Sequence, residues 1–147
     1  MGMPFLDLRP QYRSMRDRID RKILQVVASQ RFIGGSEVEG LERELADYCG
    51  VEHAVGVSSG TDALLATLMA LDIGPGDAVL IPAFTFFATA GVVARLGARP
   101  VFCDIDPENF NISIAGMERV LDRERRSTRT GRLKAVIPVH LFGQTAD

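Results

Sequence analysis

From residue 53 onward the chain alternates between short, continuously apolar runs and longer runs with helical spacing, and that alternation restricts its fold more than any other feature. The apolar runs at residues 53–57, 78–81, 100–105 and 135–141 have strand length and no polar alternation. Between them, residues 61–71, 85–96 and 114–123 carry helical patterns. Strands alternating with helices predict βαβ units and a parallel sheet. Strands that are apolar on both faces predict cover on both faces. The expected fold class is α/β: three layers, a mostly parallel sheet with helices on both sides. Upstream, residues 13–31 begin highly charged and place Ile19, Ile23, Val26 and Val27 at helical spacing, and Phe32-Ile33-Gly34-Gly35 breaks that helix. Ser36 and Glu39 have the S-x-x-E spacing of a capping box, opening a helix with Val38, Leu41 and Leu45 on one face. Residues 1–35 are therefore expected to form an N-terminal segment and helix, and residues 36–147 the body of the domain. The sequence ends soon after a core-type strand, without the helix that should cover it. It reads as a truncated α/β domain, with a small complete domain as the alternative.

Composition narrows the functional classes. The 17 basic and 19 acidic residues leave a net charge of −2, which gives no electrostatic case for nucleic-acid binding. Only Lys22 and Lys134 are lysines. Cys49 and Cys103 lack metal-ligand spacing and are expected as reduced thiols, Cys49 at a helix end and Cys103 in a strand. No signal peptide, myristoylation pattern or membrane-length apolar run is present, so a cytoplasmic protein without membrane contact is expected.

In parallel α/β sheets, ligands bind at the carboxyl ends of strands. The first such junction is Val57-Ser58-Ser59-Gly60-Thr61-Asp62, which leads into the N-terminus of an apolar helix. Free N–H groups and the helix dipole favour an anion there. Gly60 allows close backbone approach, and Ser59 and Thr61 add hydroxyl donors. The same residues suit a plainer role, with Thr61 capping the helix and Gly60 turning the chain. A P-loop and a dinucleotide fingerprint are both missing. At the next junction Phe84, Phe86 and Phe87 could stack a planar ligand, or at least two of them could be core residues. His140 closes the last apolar run, where it could serve in acid–base chemistry, position a ligand, or be a structural histidine. His53 looks structural.

Taken in order, these segments resemble the DegT/DnrJ/EryC1/StrS family of sugar aminotransferases, pyridoxal-phosphate enzymes with the large domain of aspartate aminotransferase fold type I. The resemblance is carried by Phe5-Leu6-Asp7-Leu8, Gly35-Ser36-Glu37-Val38-Glu39-Gly40-Leu41-Glu42 and Ser59-Gly60-Thr61-Asp62-Ala63-Leu64. It continues through Gly74-Pro75-Gly76-Asp77, Pro82-Ala83-Phe84-Thr85-Phe86, Asp104-Ile105-Asp106-Pro107 and Val139-His140-Leu141-Phe142-Gly143-Gln144. It implies that residues 36–147 are the first part of the cofactor-binding large domain. It implies a phosphate loop at Ser59, Gly60 and Thr61, and stacking of Phe86 on the pyridine ring of pyridoxal 5′-phosphate. It also implies, more weakly, that Gly35 lies in an active-site loop contributed across a dimer and that His140 lies near the cofactor's edge. The implied reaction is amino transfer, usually from glutamate, to a keto sugar carried on a nucleoside diphosphate, in a homodimer of the full-length protein.

The resemblance places the cofactor-bonding lysine and the aspartate that pairs with the pyridinium nitrogen beyond Asp147. Neither Lys22 nor Lys134 is assigned that role. No catalytic residue and no metal ligand is therefore expected here, and the chain as written is expected to be inactive. A sugar dehydratase of the same family and a non-catalytic regulatory or binding protein with the same fold are the alternatives.

Overall fold

The computed structural model describes residues 4–127 and 131–146. The chain divides after Gly56 into two compact units. In the first, helix α1 spans Arg9–Ser29, with Pro10 in its first turn, where a missing N–H costs no helical bond. Helix α2 spans Ser36–Cys49. Nothing in α1 is buried, and in α2 only Ala46 is. Lys22 Nζ donates to both carboxylate oxygens of Glu37 at 2.9 Å.

The capping box expected at Ser36 and Glu39 does not form. Gly35 is the N-cap, at φ 103°, and Ser36 is already the first helical residue. Glycine reaches that positive φ without steric cost, so the chain turns into the helix one residue early. The Glu39 N–H goes to the Gly35 carbonyl at 3.1 Å. Residues 53–57 do not form a strand, because no described strand pairs with them. Instead the Gly56 N–H donates to the Glu42 carboxylate at 2.7 Å.

The second unit contains α3 (Gly60–Ala70), β1 (Asp77–Pro82), α4 (Phe87–Arg95), β2 (Arg99–Cys103), α5 (Ile114–Arg126) and β3 (Arg132–Val136). The strands form a parallel sheet in the order β2-β1-β3. The central strand divides the core between its two faces. Val79 and Ile81 pack with Leu68 of α3 and with Val92 and Val93 of α4. Ala78 and Leu80 pack with Val101, Cys103, Ile112 and Val120 of α5. Three layers with helices on both faces follow from that alternation. An added Cβ at Gly116 would lie 3.1 Å from Cys103 Sγ, so α5 sits close on β2 because that position carries no side chain.

The continuous apolar pattern gives full burial only in β1. The outer strand β3 alternates between exposed and half-buried, and Phe102 of β2 is exposed. The chain runs from β1 to β2 on one side through α4, then returns past β1 to β3 through α5. Crossovers of one hand that run in opposite directions use opposite faces, which is where α4 and α5 lie.

Several boundaries differ from the sequence expectation. β3 ends at Val136 rather than continuing to residue 141: Ile137 still donates to Leu80 O at 2.9 Å, but Pro138 has no N–H to extend the ladder. Leu141–Gly143 is a 3-10 turn. Lys134 lies inside β3, not before it. The register steps from Ala78↔Leu133 to Val79↔Ala135, so Lys134 is the extra residue of a bulge. β2 stops at Cys103, and Ile105 makes an isolated antiparallel bridge with Ile112. α5 continues to Arg126, past its expected end at residue 123, and residues 128–130 lie outside the described part. Cys49 closes α2, Cys103 is buried in β2, and both are free thiols. Among the described residues no helix is long and apolar enough to cross a membrane, and no cluster could hold a metal ion.

Candidate functional site

α3 begins at Gly60, and its N-cap is Ser59, not Thr61. Ser59 Oγ accepts the Asp62 N–H at 3.1 Å and donates to Asp62 Oδ2 at 2.9 Å. The Ser58 hydroxyl donates to the same carboxylate oxygen. The Ala63 N–H is taken by Ser59 O at 2.9 Å. Of the four N–H groups that open any helix, those of Asp62 and Ala63 are therefore satisfied. Those of Gly60 and Thr61, with the Thr61 hydroxyl, make no bond within the described chain. All three belong to exposed residues, and a Cβ added at Gly60 would meet nothing within 4 Å. The arrangement is an open cup of donors on the positive end of a helix. The Asp62 carboxyl is held below the usual carboxylate range, first by the Ser58 hydroxyl and then by that of Ser59, with a smaller pull from Arg95.

Phe86 is the N-cap of α4 by backbone geometry, and that helix begins at Phe87 rather than at Thr85. Thr85 and Thr89 join their hydroxyls at 2.8 Å across this junction. Phe84, Phe86 and Phe87 are all exposed, Phe86 at 73%. The alternative in which at least two of them belong to the core is therefore wrong in this structure. Their places just beyond a buried strand, on the loop and first turn that follow it, put the rings outside both core clusters. α3 and α4 occupy the same layer over β1, so the donor cup and Phe86 both stand at the N-termini of helices of that layer.

Phe84 belongs to a second group. With Phe110 and Phe142 it forms a triangle with ring centroids 6.0–6.3 Å apart, one ring from the segment that follows each strand. Phe110 and Phe142 hold φ values of 63° and 58°, a left-handed conformation that costs a bulky residue about 1–2 kcal/mol. Asn111 is buried beside Phe110, and its side-chain amide donates to Thr145 O at 3.0 Å. His140 is exposed, and its Nδ1 accepts the Ala146 N–H at 3.0 Å. Gly35 caps α2 and belongs to the first unit.

Lys134 is not offered to this end of the sheet. Lys134 pairs with Asp77 Oδ2 at 3.0 Å and donates to Asp72 O, both at the amino end of β1, and Lys22 is paired with Glu37. A concavity of about 630 Å³ runs along α1 past Met15, Ile19, Lys22 and Ile23 and contains none of the expected site residues.

Two features escaped the sequence reading. Asp62 stands three residues after Ser59 in an S-x-x-D spacing, a signal that was available. The aromatic triangle had none, because its members lie on three separate loops.

Comparison with known proteins gives the family. The model of the DegT/DnrJ/EryC1/StrS aminotransferase family matches residues 13–147. A UDP-N-acetyl-3-dehydro-alpha-D-glucosamine 3-aminotransferase of Acidithiobacillus ferrooxidans is 46% identical over 99% of this chain and 37% of its own length. A pleiotropic regulatory protein of Geobacillus stearothermophilus is 47% identical over 100% of this chain and 37% of its own. The chain thus spans well under half the length of these relatives. Among solved structures, a DegT/DnrJ/EryC1/StrS aminotransferase of Brucella abortus superposes with a TM-score of 0.94 at 44% identity, covering 99% of this chain and 39% of that one. NtdA of Bacillus subtilis, solved with bound cofactor PMP, superposes with a TM-score of 0.87 at 31% identity, covering 99% and 32%. The chain belongs to the DegT/DnrJ/EryC1/StrS aminotransferase family.

Proposed function

We propose that this chain supplies the cofactor-phosphate part of a pyridoxal-phosphate-dependent aminotransferase that acts on a nucleotide-linked keto sugar, with glutamate as amino donor, in amino-sugar biosynthesis. Residues 36–147 are the first part of the large domain, and the full-length protein works as a cytoplasmic homodimer. The observation that carries the reading is the donor cup at α3: two adjacent free N–H groups and a free hydroxyl, on Gly60 and Thr61, at a helix N-terminus. That donor set fits a phosphate monoester, and membership of an aminotransferase family supports reading the monoester as a cofactor's. Ser59 contributes as the cap that fixes the loop. The exposed Phe86 ring, on the same layer, gives the pyridine ring a face to lie on.

When bound, pyridoxal phosphate supplies the electron sink for amino transfer. This chain's residues hold and orient it. Gly60 and Thr61 would donate hydrogen bonds to the phosphate, and Phe86 would shield one ring face from water. Gly35 and His140 are kept as residues of the substrate side, His140 with its Nε2 free to reach a bound group. Neither lysine is assigned the reaction's proton transfer: Lys134 is paired with Asp77 at the amino end of β1, and Lys22 with Glu37 in the first unit. The sugar reading draws on relatives named as aminotransferases of UDP-linked sugars and as a dTDP-sugar transaminase. A regulatory role is the second reading, favoured by the name of the Geobacillus relative.

The test is Thr61→Ala. Pyridoxamine 5′-phosphate is the suitable probe, because its amine cannot condense with the lysines. Loss of one charge-assisted hydrogen bond, about 1.5–3 kcal/mol, should weaken its binding roughly ten- to a hundred-fold in a calorimetric titration. An unchanged affinity would remove the phosphate assignment.

A further inference from the structure

Asp62 is an unexpected neighbour for a phosphate. Its carboxylate stands in the first turn of α3, one residue beyond the donor cup, where a negative charge should repel the anion. The hydrogen bonds give it a different effect. Oδ2 takes the hydroxyl protons of both Ser58 and Ser59, while Ser59 Oγ takes the Asp62 N–H. Ser59 is thereby closed into a ring with Asp62, its donor and acceptor both used. Two hydroxyl rotors that could fold over the Gly60 and Thr61 N–H groups are pinned aside.

We propose that Asp62 is a positioning residue of the phosphate site. By holding Ser58 and Ser59 it keeps the loop in the one shape that leaves the Gly60 and Thr61 donors bare, and this outweighs its own repulsion of the ligand. The proposal rests on the phosphate reading above and adds to it the division of labour within the loop: Gly60 and Thr61 bind, and Ser58, Ser59 and Asp62 shape. Two opposing effects of one side chain are separable, since the charge and the acceptor geometry can be removed independently. Asp62→Ala removes both. Asp62→Asn removes the charge and keeps an oxygen for the serines.

The experiment titrates the 147-residue chain and its variants with pyridoxamine 5′-phosphate and, in parallel, with pyridoxamine, which lacks the phosphate. Asp62→Ala is expected to bind the phosphorylated probe about ten-fold more weakly, in line with loss of a hydrogen-bonded charged group. Its affinity for pyridoxamine should stay unchanged, which general damage to the fold would not allow. Asp62→Asn is expected to bind the phosphorylated probe at least as tightly as the parent. Ser58→Ala, at an exposed position, should lose a few-fold and carries the test if Asp62→Ala does not fold. Tighter binding by Asp62→Ala would show Asp62 to be only a repelling charge. An Asp62→Asn loss equal to that of Asp62→Ala would show that geometry is not what it supplies. Either result overturns the proposal and leaves the phosphate site standing. If the parent chain binds the two probes equally, the phosphate reading falls and this inference falls with it.

Discussion

The two ends of the sheet in the second unit are built from the same three strands and spend their side chains differently. At the amino end, charges are paired. Lys134 holds Asp77, and Arg99 of β2 meets Glu124 of α5 at 2.6 Å, with Glu124 only 11% exposed. At the carboxyl end, aromatic rings stand in the open, two of them on left-handed backbone, and the helix that opens at Gly60 leaves donors unused. The amino end joins its charges in ion pairs within the chain, and the carboxyl end leaves rings and helix donors available.

The comparison can be broken most severely from the middle. Leu80→Ala, in the fully buried centre of β1, should lower stability by about 2–5 kcal/mol in urea denaturation. Because β1 carries both ends, ion pairing and ligand binding should fail together. If one survives without the other, the two ends do not share a frame.

A smaller effect isolates the amino end. The Asp77 carboxyl is held below its usual range, first by Lys134 and then by the Gly74 N–H. A carboxyl with a lowered folded value stabilises the fold above its unfolded value and loses that contribution as pH falls through the folded one. Lys134→Met should therefore be less stable than the parent at neutral pH, and the two should converge in acid below the ordinary carboxylate range. Urea midpoints across that range provide the check, and a gap that stays constant would count against the pair.

The smallest effect on stability belongs to the carboxyl end. Phe86→Ala should change unfolding free energy by no more than about 0.5 kcal/mol, since the ring is exposed. It should nevertheless weaken pyridoxamine phosphate binding by about 0.5–1.5 kcal/mol through lost stacking. A large stability loss would mean that this ring belongs to the framework.

How much the sequence revealed depended on whether a feature was local. The order of helices and strands, the buried centre at residues 78–81 and the break at Gly34-Gly35 are written in periodicity and turn chemistry. The junction at Gly60 was visible as a candidate because a strand-length run met a helix there. The cap at Ser36 was misread because the neighbouring Gly35 could turn the chain first. Residues 53–57 have strand composition, but a strand also needs a partner, which composition does not specify. Burial of Phe84, Phe86 and Phe87 depends on what lies above them, so their apolar character alone pointed the wrong way. The bulge that aims Lys134 back at Asp77 is set by pairing register, which leaves no trace in the sequence.

The strand order also has a consequence in time. β1 is central, but its two neighbours are residues 99–103 and residues 132–136, so its second edge is completed only by the last strand of the unit. A chain made from its N-terminus presents β1, apolar on both faces and open along one side, through the whole interval in which α5 is being synthesised. An unpaired apolar edge invites another chain. The interval before β3 can pair is therefore one in which a nascent copy is exposed to aggregation. A chain ended before residue 132, which never gains β3, should give a lower soluble yield than the 147-residue chain.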